Sequence, residues 1–186
     1  MWVFGYGSLL WNPEFNPVES VRADLPGYTR SFCMLSIHHR GTEKKPGLVL
    51  ALDESAVDSH CMGMGLRVSD NEAEKVLTEL RERELVSSAY LEKWIDLKLS
   101  DGRLVPAVTY VVDRNHPQYC QLELTNQAEI IAQAVGGRGA NWKYLINTAD
   151  LLQSLGIGDP ELDWLVKEVT KLGYGTEHLG LETISL

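Results

Sequence analysis

Tyr90-Leu91-Glu92-Lys93-Trp94-Ile95-Asp96-Leu97-Lys98-Leu99 mixes apolar and polar residues in near alternation, breaks at Ser100-Asp101-Gly102-Arg103, and resumes as Leu104-Val105-Pro106-Ala107-Val108-Thr109-Tyr110-Val111-Val112. Alternation is the period of a half-buried strand, and an Asp-Gly pair is the turn chemistry that joins two such strands. The stretch therefore predicts a β-hairpin. Upstream, Trp2 to Phe4, Val18 to Met34 (one or two strands around Pro26-Gly27, with a strand over 28–37), Gly47 to Leu52 and His60 to Val68 are further β-prone runs bounded by turn residues. The last two are expected to pair with each other, and Gly63 and Gly65 within the second mark a bulge or a close backbone approach. So many consecutive β segments predict a mixed or antiparallel sheet curled into a small barrel.

Between the strands lies one helix. Ser69-Asp70-Asn71-Glu72 has the Ser-x-x-Glu form of a capping box, and Ala73, Val76, Leu77 and Leu80 follow at three- and four-residue spacing. Four residues further along the same stripe stands Glu84, whereas Glu82 lies about 200° around the helix from Leu80. Glu79, Arg81 and Glu82 read as the solvated face. Two readings of Glu84 follow from the periodicity. A carboxylate at the inner end of an apolar stripe loses hydration, its pKa rises, and it becomes able to take and return a proton near neutral pH. Alternatively the helix ends at Arg83 and Glu84 points to water or pairs with Arg81 or Lys93.

At the amino terminus, Trp2, Val3 and Phe4 run into Gly5-Tyr6-Gly7-Ser8 before Leu9 and Leu10 resume the apolar character. Two glycines around a tyrosine admit positive φ and leave backbone N–H groups uncovered, the means by which a loop presents donors to a carboxylate. The same residues also make an ordinary turn closing a strand. His39 to Gly47, with Arg40, Lys44 and Lys45, is a basic loop, either solvated or in contact with a ligand. After Val112 the pattern turns helical. Thr125 is the expected cap of a helix through Val135 that stops at Gly136-Gly137; Gly139-Ala140-Asn141 leads a second with Tyr144 and Leu145; Asp159-Pro160 opens a third ending at Gly173. The tail from about residue 174 reads as irregular, and its last six residues, 181–186, have no evident purpose.

The whole is an α+β pattern with helices flanking a barrel, and 186 residues suffice for the single domain expected over 1–186. With 17 basic and 26 acidic residues the net charge is −9, which opposes attraction to nucleic acid or to an anionic membrane. No basic, apolar leader opens the chain, and no apolar run reaches the roughly 20 residues of a membrane helix. Cys33, Cys61 and Cys120 include no Cys-x-x-Cys pair and fit reduced thiols in the cytoplasm. Metal-ligand spacing is missing, and Gly136-Gly137-Arg138-Gly139 lacks the Lys-Ser/Thr of a phosphate loop, so neither a metal nor another cofactor is expected.

Val3-Phe4-Gly5-Tyr6-Gly7-Ser8-Leu9 closely resembles the opening signature of the ChaC-type γ-glutamylcyclotransferases. The ordered set His39-Arg40-Gly41, Lys45-Pro46-Gly47, Arg83-Glu84 with Tyr90, Gly139-Ala140-Asn141 and Tyr144-Leu145 extends the resemblance to about residue 145. It implies an enzyme that releases 5-oxoproline from a γ-glutamyl compound, glutathione being the expected substrate. In that chemistry the substrate α-amine attacks its own γ-carbonyl, so no enzyme nucleophile, metal or organic cofactor is needed. The resemblance implies Glu84 as general base and acid, residues Val3, Phe4, Gly5, Tyr6, Gly7, Ser8 and Leu9 as the substrate-binding loop, and the Tyr144 hydroxyl as a further substrate contact. The alternatives are a cyclotransferase for other γ-glutamyl peptides or amines, and a non-catalytic amino-acid-binding regulator.

Overall fold

A computed structural model describes residues 1–85 and 88–176. The chain forms two compact units, Met1–Ser31 with Leu50–Tyr119, and Phe32–Val49 with the chain from Cys120. Its strands are β1 (Trp2–Gly5), β2 (Glu19–Pro26), β3 (Tyr28–Ser36), β4 (Gly47–Glu54), β5 (His60–Arg67), β6 (Tyr90–Leu99) and β7 (Leu104–Val112), with helix α1 (Ala73–Glu84) between β5 and β6. The later elements are α2 (Leu124–Gln133), a two-residue hairpin of β8 (Val135–Gly136) and β9 (Gly139–Ala140), α3 (Asn141–Ser154) and α4 (Pro160–Lys171).

The sheet runs β1-β5-β2-β6-β7-β4-β3, and β1 also pairs with β7, so the first five strands close into a ring. Every neighbour in the ring is antiparallel except β1 and β7, which meet in parallel at Trp2↔Ala107 and Val3↔Val108. The barrel expected from the strand pattern is thus present and mixed. The β6–β7 hairpin forms in the expected place, with Gly102 at φ +92° in its turn. One pairing differs from expectation: β5 binds β1 and β2, while β4 lies beside β7 and β3. Periodicity cannot choose partners; close approach does. A Cβ on Gly63 would come within 2.5 Å of the Gly5 carbonyl oxygen and 2.7 Å of the Phe4 ring, and one on Gly65 within 2.8 Å of Leu99 Cδ2. The glycines of β5 therefore make room for β1 and for the barrel interior.

Strand alternation divides β1 between two cores of the first unit. Trp2, Phe4 and Tyr6 join Ala23, Leu25, Leu97, Leu99, Ala107 and Val111 in one cluster, while Val3 and Leu9 join Val76 and Leu80 of α1 with Val108 and Tyr110 in the other. Burial of Val76 and Leu80, about 1.5–3 kcal/mol each, fixes which face of α1 turns inward. The capping box does not form as expected. Ser69 Oγ donates to Glu72 Oε2 at 2.7 Å, Glu72 occupies the N-cap position itself, and the helix starts at Ala73. The Glu72 side chain makes no capping hydrogen bond to a backbone N–H.

In the second unit α2, α3 and α4 pack pairwise. Glu123, not Thr125, precedes α2, and the helix stops at Gln133 because Ala134 turns extended and leads into the β8–β9 hairpin. Asn141, at the head of α3, is fully buried: its Nδ2 donates to the Leu48 carbonyl at 2.7 Å and its Oδ1 accepts from the Leu48 N–H at 2.6 Å. Asp159 caps α4 as expected, accepting from the Leu162 N–H at 3.1 Å. Tyr174 and Gly175 are bends and Thr176 takes a 3₁₀ conformation, and the rest of the tail, with residues 181–186, lies outside the described residues. No helix among the described residues is long and apolar enough to cross a membrane.

Candidate active site

The loop after β1 takes its shape from the buried residues on either side of it. Val3 and Phe4 are wholly buried, so their side chains support the loop from the core. Tyr6 is buried too, and its hydroxyl donates to the Tyr110 carbonyl at 2.9 Å. Arg30, buried on β3, reaches under the loop from the other side: its Nε donates to the Tyr6 carbonyl at 2.7 Å and its Nη2 to the Met62 carbonyl. Ser8–Leu10 then make a 3₁₀ turn, with the Leu10 N–H bonded to the Gly7 carbonyl at 2.9 Å.

The loop achieves this without the left-handed backbone expected of it. Neither Gly5 nor Gly7 has a positive φ, and Gly7 sits at φ −141°. What glycine provides at position 7 is the absence of a side chain, since nothing lies within 4 Å of where its Cβ would be although the residue is buried. Among the described residues the N–H groups of Gly7, Ser8 and Leu9 meet no acceptor. Three consecutive donors beside an unfilled space are suited to an anionic oxygen.

Glu84 ends α1, and of the two readings the spacing left open the inward one is found: its side chain is 17% exposed, whereas Glu82 is on the exposed face. Burial pushes the Glu84 carboxyl above the ordinary carboxylate range; the Arg83 guanidinium opposes that rise through charge and a hydrogen bond, and the Glu14 carboxylate adds to it. Glu84 pairs with neither Arg81 nor Lys93. Arg81 grips Glu92 with Nε and Nη2, both at 2.7 Å, and Lys93 pairs with Glu54. Tyr110, buried on β7, is close enough for the Glu84 charge to help hold its phenol protonated, after burial and Glu92.

Periodicity gives no role to Arg83, Asn12 or Glu14, which meet here. Arg83 Nε lies 3.0 Å from Glu84 Oε1, Nη2 donates to Ser8 Oγ at 2.9 Å, and Nη1 donates to the Asn12 carbonyl at 2.6 Å. Glu14, 3.5 Å from Arg83 Nη1, holds φ +62°, a left-handed backbone uncommon for a residue with a side chain. Adjacency of Arg83 to Glu84 was the only sequence signal for any of these contacts. The loop and the carboxylate are thus brought together on one guanidinium.

Tyr144 belongs to the second unit. It is buried, its ring stands edge-on to Phe32 with centroids 6.0 Å apart, and the Arg40 guanidinium lies 5.1 Å from its ring centre. Desolvation lowers the Arg40 pKa, with the nearby Arg138 charge acting in the same sense and Tyr144 in the other. The basic loop is tied to the β8–β9 hairpin, whose Gly137 and Arg138 N–H groups donate to the His38 and His39 carbonyls at 2.8 Å each.

The sequence pattern of the ChaC-like protein family matches residues 1–172. A relative from Escherichia coli (strain K12), named glutathione-specific gamma-glutamylcyclotransferase, is 38% identical over 176 residues, 92% of this chain and 74% of its own. One of the same name from Schizosaccharomyces pombe is 33% identical over 172 residues, 83% of this chain and 84% of its own. The crystal structure of a γ-glutamyl cyclotransferase specific to glutathione from yeast matches with a TM-score of 0.82 at 22% identity, over 92% of this chain and 96% of that one, which shows a shared fold.

Proposed function

The chain belongs to the ChaC-like family, and on that premise we propose that it is a γ-glutamylcyclotransferase that converts glutathione into 5-oxoproline and cysteinylglycine. The substrate α-amine attacks the γ-carbonyl carbon, the bond from that carbon to the cysteine nitrogen breaks, and a five-membered lactam closes. No water enters and no oxidant is involved. An α-amine with a pKa of about 8 is mostly protonated at neutral pH, so a base must remove its proton before attack. Glu84 takes that proton and returns one to the departing cysteine amine. Burial raises its pKa above the ordinary carboxylate value, toward the range in which one group can both take and return a proton.

The N–H groups of Gly7, Ser8 and Leu9 bind the substrate α-carboxylate or the oxyanion that forms on the γ-carbonyl. The Tyr144 hydroxyl is kept as a proposed substrate contact on the family resemblance. Cys33, Cys61 and Cys120 form no disulfide, which supports a cytoplasmic setting, where the reduced substrate would also be found. The observation that carries the proposal is the largely buried Glu84 carboxylate, joined through Arg83 to a loop with three unspent donors.

The test is incubation of the purified protein with glutathione, with mass-spectrometric detection of both products. Wild-type protein yields both, and Glu84→Gln yields neither while keeping its fold. Turnover by Glu84→Gln at the wild-type rate would overturn the assignment of the base. A wild-type protein that turned over other γ-glutamyl compounds but not glutathione would overturn the assignment of the substrate.

A further inference from the structure

Arg81 and Arg83 stand two residues apart on one helix, yet they use the same edge of the guanidinium differently. The Nε–H and Nη2–H of an arginine are parallel donors matched to the two oxygens of a single carboxylate. Arg81 uses them that way on Glu92, at 2.7 Å each. Arg83 divides that edge, with Nε in an ion pair with Glu84 Oε1 at 3.0 Å and Nη2 donating to Ser8 Oγ at 2.9 Å. Its far nitrogen, Nη1, then fastens the Asn12 carbonyl at 2.6 Å, beyond the 3₁₀ turn.

We propose that Arg83 is a positioning residue for the cyclisation, a bridge whose one planar group fixes the Glu84 carboxylate in register with the donor loop. The proposal rests on the reading of Glu84 as the base. A rigid guanidinium shared between two elements holds Glu84 Oε1 3.0 Å from Nε and Ser8 Oγ 2.9 Å from Nη2. The carboxylate thereby keeps one orientation relative to the loop, while Glu84 Oε2 receives no bond from Arg83 among the described residues. Proton transfer needs that fixed aim, because a base displaced by an ångström loses much of its advantage.

The charges around Glu84 are few. Arg83 lies beside it on α1, Glu14 approaches from the loop, Tyr110 from β7, and the Arg81–Glu92 pair stands beyond Tyr110. Among the described residues Arg83 is the positive group that acts on Glu84, and it opposes the rise in pKa that burial causes. Orientation and ionisation are separable, because a lysine can supply the charge but not the fork.

The experiment measures kcat and KM for glutathione across pH in Arg83→Gln, Arg83→Lys and Ser8→Ala, beside wild type and Glu84→Gln, with a thermal melt of each. Ser8→Ala and Arg83→Lys are expected to lower kcat by about tenfold, the loss of one charge-assisted bond, with the acid limb of kcat/KM unmoved. Arg83→Gln lowers kcat as well and moves the acid limb to higher pH. Wild-type kcat in both Ser8→Ala and Arg83→Lys would overturn the bridge, and that result stands even if Arg83→Gln does not fold. An unmoved acid limb in a folded Arg83→Gln would overturn it too. An active Glu84→Gln is a different failure, since it removes the base itself.

Discussion

Arg83 and Glu84 are consecutive in the chain and form an ion pair at 3.0 Å with both side chains mostly buried, 20% and 17% exposed. The pair is an unequal match. Removal of the carboxylate from water raises its pKa more than the guanidinium lowers it. Ionisation of Glu84 in the folded protein is consequently a cost to the fold, as is common where a side chain is kept for chemistry.

That cost has a sign that can be measured. A carboxyl whose folded pKa exceeds its unfolded value binds protons more tightly in the native state, so its contribution is most favourable below about pH 4.5 and is lost as pH rises through the folded pKa. Glu84→Gln should therefore gain in melting temperature relative to wild type as pH is raised from 4.5 to 8. A difference between the two proteins that stayed constant over that range would contradict the raised pKa.

Glu14 acts on the same carboxyl in the opposite direction to Arg83. Glu14→Gln is expected to move the acid limb of kcat/KM to lower pH. Because Glu14 is 54% exposed, the shift should shrink in high salt. A pH–rate profile at two ionic strengths checks both statements.

Gly63 should tolerate no methyl group. An alanine there would press on the Gly5 carbonyl and the Phe4 ring, and overpacking of this kind costs about 1–3 kcal/mol. Gly63→Ala is expected to lower the denaturation midpoint and to reduce kcat/KM with it, since the displaced backbone is the start of the donor loop.

Asn141 brackets both backbone groups of Leu48 in a fully buried setting. Asn141→Ala strands a buried N–H and a buried carbonyl and should cost about 2–4 kcal/mol in chemical denaturation. Asp159→Ala removes a part-buried helix cap and should cost about 1 kcal/mol. Equal losses for the two would contradict the weight placed on burial.

Much of this architecture is legible in local pattern. The β6–β7 hairpin, the inward stripe of α1, the choice of Glu84 over Glu82 as the inward carboxylate and the Asp159-Pro160 start of α4 all depend on spacing and on neighbours a few residues away. Where two local devices compete for one group, pattern misleads: Ser69 and Glu72 bond to each other, and the helix begins after them. Thr125 has the chemistry of a cap, but the backbone starts its helix one residue before it and places Glu123 at the N-cap.

What the sequence determined by itself, then, were most of the elements and their faces, including the face of α1 on which Glu84 stands, because periodicity is a property of a segment. Only the tertiary structure decided that β5 would lie beside β1, that Gly7 would stay at negative φ over an unfilled space, and that Arg83 would divide its donors between Glu84 and Ser8. Those facts depend on groups up to 75 residues apart, as Ser8 is from Arg83, meeting at hydrogen-bonding distance. No repeat along a chain encodes such a meeting; it is set by which buried surfaces fit.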